Sequence, residues 1–108
     1  MGGAVTRQNR LGIPRRFRVH GHTVTVRIVP LSKWRHSKDA VGIYDPNRHR
    51  IELRADQGET ELQQTFCHEL GHCLLSEMSH PLNDDEKFVD NLGSLLHQAL
   101  TTFDSKLR

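Results

Sequence analysis

Between Arg15 and Pro30 apolar and polar residues alternate, RRFRVHGHTVTVRIVP, with the period of half-buried strands. Phe17 and Val19 fall on one face of a first strand. Val24, Val26 and Ile28 fall on one face of a second, and Gly21 at the reversal predicts a hairpin. Pro30–Asp39 is polar and irregular, a loop holding Trp34, read as a cover for the small core, and His36. Ala40–Tyr44 and Arg50–Arg54 read as two short strands joined through Asp45-Pro46-Asn47-Arg48, a tight-turn composition. Ile51 and Leu53 are the inward positions of the last strand.

The period then changes. Gln57–Glu61 has the acids of a helix entrance, and Leu62, Phe66, Leu70, Cys73 and Leu74 recur three or four apart, predicting a helix to about Met78. Ser79–Asn83, with Pro81, is a break, and Asp84 and Asp85 suit the start of another helix. Its predicted apolar face is Phe88, Leu92, Leu95, Leu96, Ala99, Leu100 and Phe103. Met1–Pro14 has no period and reads as a flexible leader to one domain over residues 15–108. Its opening MGGAVT fits the short myristoylation pattern, but a single acyl chain anchors only marginally, and no membrane partner is expected.

Composition narrows the class. A chain of 108 residues, 35% hydrophobic and 26% charged, makes one small domain with a thin core. No apolar run approaches the roughly 20 residues that span a bilayer, and Met1–Val19 lacks the apolar centre of a signal peptide. Cys67 and Cys73, six apart on a helix, point to different sides, so the expected setting is a reducing one, the cytoplasm. Met1–Arg54 carries 12 Lys/Arg against 3 Asp/Glu (12 − 3 = +9), and Ala55–Arg108 carries 3 against 10 (3 − 10 = −7). Because the basic residues alternate along strands, the expectation is a basic sheet and acidic helices attracting one another within the domain.

The chemistry concentrates in Cys67-His68-Glu69-Leu70-Gly71-His72, a His-Glu-x-x-His pattern on the first helix. Four residues apart, His68 and His72 project together and can bind one Zn²⁺. Glu69, about 100° further round, cannot easily join them as a ligand but can reach a metal-bound water. Gly71 costs about 1 kcal/mol relative to Ala in a helix, a cost that close approach of another element would explain. A third ligand must come from downstream, where Glu77, His80, Asp84, Asp85, Glu86, Asp90 and His97 offer themselves. Glu77 points elsewhere on the same helix. The His-rich metalloprotease classes place their third histidine six residues after the second, where this chain has Met78, and His80 lies beside Pro81. An antiparallel return would bring Glu86 beside the histidines, with Asp90 one turn further on the same face. One carboxylate can then bind metal while the other holds a histidine N–H.

His68-Glu69-Leu70-Gly71-His72 followed by Glu86-Lys87-Phe88-Val89-Asp90-Asn91-Leu92 resembles a small gluzincin peptidase, most similar to the compact ImmA/IrrE-like proteins of bacteria, phages and mobile elements. The resemblance spans roughly Arg15–Phe103, and its specific part is the two helices. It implies an α+β fold: a small twisted sheet, antiparallel or mixed, packed on the active-site helix, then a helix bearing the glutamate ligand. It further implies a zinc-dependent endopeptidase acting on a protein or peptide, in some members a regulatory protein. By this match His68, His72 and Glu86 are the metal ligands, Glu69 the catalytic base, and Asp90 the group behind a histidine. The second helix departs from the family's usual acidic-Ala-Asn-x-Phe-Ala run, reading EKFVDNLG.

On this reading the strand Arg50–Arg54 presents an edge to which extended substrate adds. Tyr44, His36, His80 and His97 are candidates to stabilise the oxyanion, and spacing selects none of them. Two other functions fit parts of the sequence: a zinc domain that binds a partner without cutting it, and a nucleic-acid-binding module using the basic half. The second lacks any helix-turn-helix, RNA-binding sheet or zinc-finger pattern, so nucleic acid is not expected as a partner.

Overall fold

A computed structural model describes residues 12–103; the leader's first eleven residues, including the MGGAVT pattern, lie outside them. The fold is α+β, a four-stranded mixed sheet with two helices. Strands β1 (Arg16–Val19) and β2 (His22–Val29) form the expected antiparallel hairpin. Its two turn residues, His20 and Gly21, have φ of 48° and 78°, the pair of left-handed conformations that suits the twist of a two-residue hairpin.

After a 3-10 turn at Leu31–Lys33 come β3 (Gly42–Asp45) and β4 (Arg50–Arg54), antiparallel to each other. Asp45 Oδ1 accepts from the backbone N–H groups of Asn47 at 2.9 Å and Arg48 at 3.4 Å, closing the turn between them. The sheet order is β1-β2-β4-β3, with β4 parallel to β2. The strand expected to present an edge is therefore interior, paired on both sides, and the edges are β1 and β3. Hairpin signals show which strands are neighbours in sequence, whereas insertion of β4 between β2 and β3 is a long-range choice.

Helix α1 (Glu59–Glu77) follows β4 and runs back across the sheet. Gly58 N–H donates to Glu61 Oε1 at 3.1 Å, satisfying one backbone donor at the helix start. Val24, Ile51, Leu53, Phe66, Cys67 and Cys73 make the buried core, with the Phe17 ring edge-on to Phe66 at 6.2 Å. Ile28, expected inside, is 49% exposed, because β1 ends opposite Thr25 and leaves the last residues of β2 without a neighbour on that side. Both cysteines are buried and unpaired.

A 3-10 turn at Pro81–Asp84 leads into helix α2 (Glu86–Thr101), capped by Asp85 Oδ1, which accepts from Phe88 N–H at 3.0 Å. The face of α2 that is buried centres on Val89 and Gly93, whereas Phe88, Leu95 and Phe103 are exposed. The predicted stripe holds in part: Leu96 and Leu100 pack against the core and Leu92 against Gly71, but its centre is shifted toward Val89 and Gly93. The long apolar side chains suggested one seam, but contact between the helices is set by where the backbones come closest. A Cβ placed on Gly93 would lie 2.9 Å from His68 Cα and 3.0 Å from its nitrogen, so α2 rests directly on the His68 backbone. Val89 and Leu92 lie in ordinary contact with the Gly71 position, the close neighbour that this glycine suggested. Among the described residues no helix is long and apolar enough to cross a membrane.

Candidate metal centre

The antiparallel return of α2 along α1 assembles the site. His68 and His72 stand one turn apart on α1, their ring centroids 5.0 Å apart. Glu86, the first residue of α2, reaches both: its Oε1 lies 3.2 Å from His68 Nε2 and its Oε2 lies 3.2 Å from His72 Nε2. One donor atom from each residue falls within 4.8 Å of the others. Two ligands about 2.05 Å from a tetrahedral ion sit about 3.3 Å apart. Both Glu86–histidine distances are close to that value, each through a different carboxylate oxygen, and the borderline-soft N,N,O donor set is one that could hold a zinc ion with a position left for water or substrate.

Each imidazole is held from behind. Asn83 Oδ1 lies 2.9 Å from His72 Nδ1. An amide oxygen accepts, so Nδ1 is the donor in that contact and Nε2 is the nitrogen turned toward Glu86. Asp90 Oδ1 lies 2.8 Å from His68 Nδ1, in the place anticipated for it. Asn83 was not anticipated. It sits in the 3-10 turn between the helices, where His80 accepts from Leu82 N–H at 3.1 Å, and no helical spacing links it to His72.

Glu69 is 6% exposed and lies beneath β3: a Cβ on Gly42 would be 3.2 Å from Glu69 Cγ. Burial raises its carboxyl above the ordinary glutamate value; His68 and His72 pull it back down, and Glu86 adds to the rise. A carboxylate so placed is a stronger base than one in water. Cys67, next to the first histidine in sequence, is turned into the core, where burial pushes its thiol up to about 11. It is a packing group.

A cleft of about 940 Å³ opens over these side chains, walled on its other side by Gly42, Ile43 and Tyr44 of β3. Of the four oxyanion candidates only Tyr44 lines it. His36 is engaged by Glu52 at 2.7 Å, His97 by Gln63 at 3.2 Å, and His80 caps its own turn. The Tyr44 hydroxyl is buried with no nitrogen or oxygen partner and faces the Cys73 thiol; burial, then Cys73, raises its pKa. Trp34 lies away from the cleft, its Nε1 donating to Ser37 O at 3.1 Å and its ring edge-on to His36. Glu77 faces His20 at the far end of α1. Comparisons of the chain with protein-family models, with curated proteins and with solved structures return no match.

Proposed function

We propose that the chain is a zinc-dependent endopeptidase, with α1 as its active-site helix and α2 supplying the third ligand. The observation that carries this reading is the convergence of His68 Nε2, His72 Nε2 and Glu86 beside a buried Glu69. Bound there, zinc supplies Lewis acidity, polarising a peptide carbonyl and making water acidic enough to lose a proton near neutral pH.

The chain's own residues do the rest. Asp90 and Asn83 orient the two imidazoles and favour the tautomer with a free Nε2. Glu69 accepts a proton from the attacking water and passes it to the departing amine, a role suited to a carboxylate made more basic by burial. The exposed edge of β3, in place of β4, lies along the cleft and offers backbone hydrogen bonds to an extended peptide. Once the chain is seated, its scissile carbonyl is directed toward Glu69 and the three ligands.

The test pairs two measurements on Glu69→Gln. The expected result is a zinc content equal to that of the parent protein, near one per chain, with loss of cleavage of a mixed fluorogenic peptide library. Retention of cleavage would sink the mechanism. Failure of the parent to retain zinc after dialysis would remove its foundation.

A further inference from the structure

The charge split along the chain becomes a split in space, and not in the way alternation suggested. Phe17, Val19, Val24, Val26 and Ile51 point toward α1, so their strand neighbours point the other way, onto a face that neither helix covers. That face carries Arg16 and Arg18 from β1, Arg27 from β2 and Arg50 from β4, with Thr23 and Thr25 between them. The arginines therefore face away from the acidic helices. Attraction between sheet and helices does not account for them.

Partners on this face cancel only part of its charge. Glu52 engages Arg50 at 3.4 Å and His36 at 2.7 Å, Asp45 stands opposite Arg50 in the register, and Arg54 is paired with Asp56 at 2.7 Å. Arg16, Arg18 and Arg27 are exposed, and none has a carboxylate within ion-pair distance among the described residues. Arg18 uses one nitrogen on the Gly21 carbonyl at 3.1 Å, which steadies its fork at the hairpin. In the register, Arg18, Arg16 and Arg27 take successive two-residue steps across β1 and β2. Along the strand axis each step is about 6.8 Å, twice the roughly 3.4 Å axial spacing of charges along one strand of a duplex, and the second also crosses one strand spacing of about 4.8 Å.

We propose that the open face of the sheet binds the phosphate backbone of double-stranded nucleic acid. The choice of partner follows from residue type. The strands use arginine throughout, whose planar fork matches phosphate, and the intervening threonine hydroxyls donate to phosphate as well. From Arg16 to Arg27 the side chains of β1 and β2 on this face are arginine and threonine alone, with nothing to insert into a lipid surface. Phe17 turns toward the core, so among the described residues the stretch of β1 and β2 that holds Arg16, Arg18 and Arg27 carries no ring on this face for stacking unpaired bases, and Trp34 and His36 stand beside Glu52 at the β4 side. A four-stranded sheet is also broader than the roughly 12 Å major groove, which restricts it to the backbone and makes recognition independent of sequence. The surface lies on the opposite side of the sheet from the cleft and stands whether or not the peptidase reading does.

Fluorescence anisotropy of the full chain with a labelled mixed-sequence duplex of about 20 base pairs tests this. Three phosphate contacts predict a log–log salt slope of about −2.7, or a loss of about 40-fold in affinity from about 50 to 200 mM salt. Arg16→Ala/Arg18→Ala/Arg27→Ala should abolish the slope, whereas the triple lysine variant and Glu86→Ala should keep it. If the triple alanine variant loses its circular dichroism, the single reversal Arg27→Glu carries the test, with weakened binding expected. Absence of salt-dependent duplex binding, an unchanged affinity in the folded alanine or reversal variant, or tighter binding to phosphatidylserine vesicles or polyglutamate would overturn the proposal.

Discussion

Helix α1 carries histidine–carboxylate clusters at two places, and they differ. In its middle, His68, His72 and Glu86 have their donor atoms within 4.8 Å of one another, with histidine side chains only 21% and 18% exposed. At its C-terminal end Glu77 Oε1 lies 3.2 Å from His20 Nδ1 and 4.0 Å from His22 Nε2, and those side chains are 67% and 51% exposed. The residue types match. What separates the clusters is support: Asp90 and Asn83 fix the central imidazoles from behind, whereas His20 sits on a hairpin turn and His22 stacks on His49. On the proposed reading it is this support, which removes the side chains' rotational freedom before an ion arrives, that would make the central cluster and not the terminal one a metal site.

The largest expected effect breaks the comparison outright. Alanine at His68, His72 or Glu86 should take zinc content from about one per chain to near zero, measured by elemental analysis after dialysis. Alanine at His20, His22 or Glu77 should leave it unchanged. Equal loss in both sets would show that preorganisation is not the distinction. A smaller effect is expected from the supporting groups: Asn83→Ala and Asp90→Ala should each weaken zinc by about 10- to 100-fold in competition with a chelator, without abolishing it.

Next comes the packing that brings α2 to α1. Gly93→Ala puts a methyl against the His68 backbone, so it should destabilise the fold by about 1–3 kcal/mol and weaken zinc through displacement of Glu86 and Asp90. Thermal melts with and without zinc would separate the two losses. The smallest effect concerns Glu69. Its carboxyl titrates higher in the folded chain than the ordinary 4.5, so its ionised form costs stability as pH rises past that folded value. In the metal-free protein, Glu69→Gln should therefore melt a few degrees higher at neutral pH. The gain should vanish below about pH 4.5, where both states carry the proton. A gain independent of pH would point to packing instead of charge.

Much of this was legible in the chain. Alternation marked β1 and β2, the Asp45 turn marked the hairpin of β3 and β4, and the four-residue spacing of His68 and His72 placed both rings on one face of a helix. These are local properties, set by the pitch of a helix, the pleat of a strand and the chemistry of turns. The position of Glu86 and Asp90 beside the histidines was legible only as one outcome that a short break between two helices favours, an antiparallel return.

The tertiary structure decided the rest. It inserted β4 between β2 and β3, so that β3 became the edge along the cleft. It turned α2 so that Val89 and Gly93 meet α1 while Leu95 faces outward, and it delivered Asn83 to His72 from an irregular turn. It also sent the arginines of the strands away from the acidic helices. Each outcome depends on which backbones come closest across the fold. A residue's periodicity says which side of its own element it occupies, but the neighbour on that side is chosen by contacts far away in sequence.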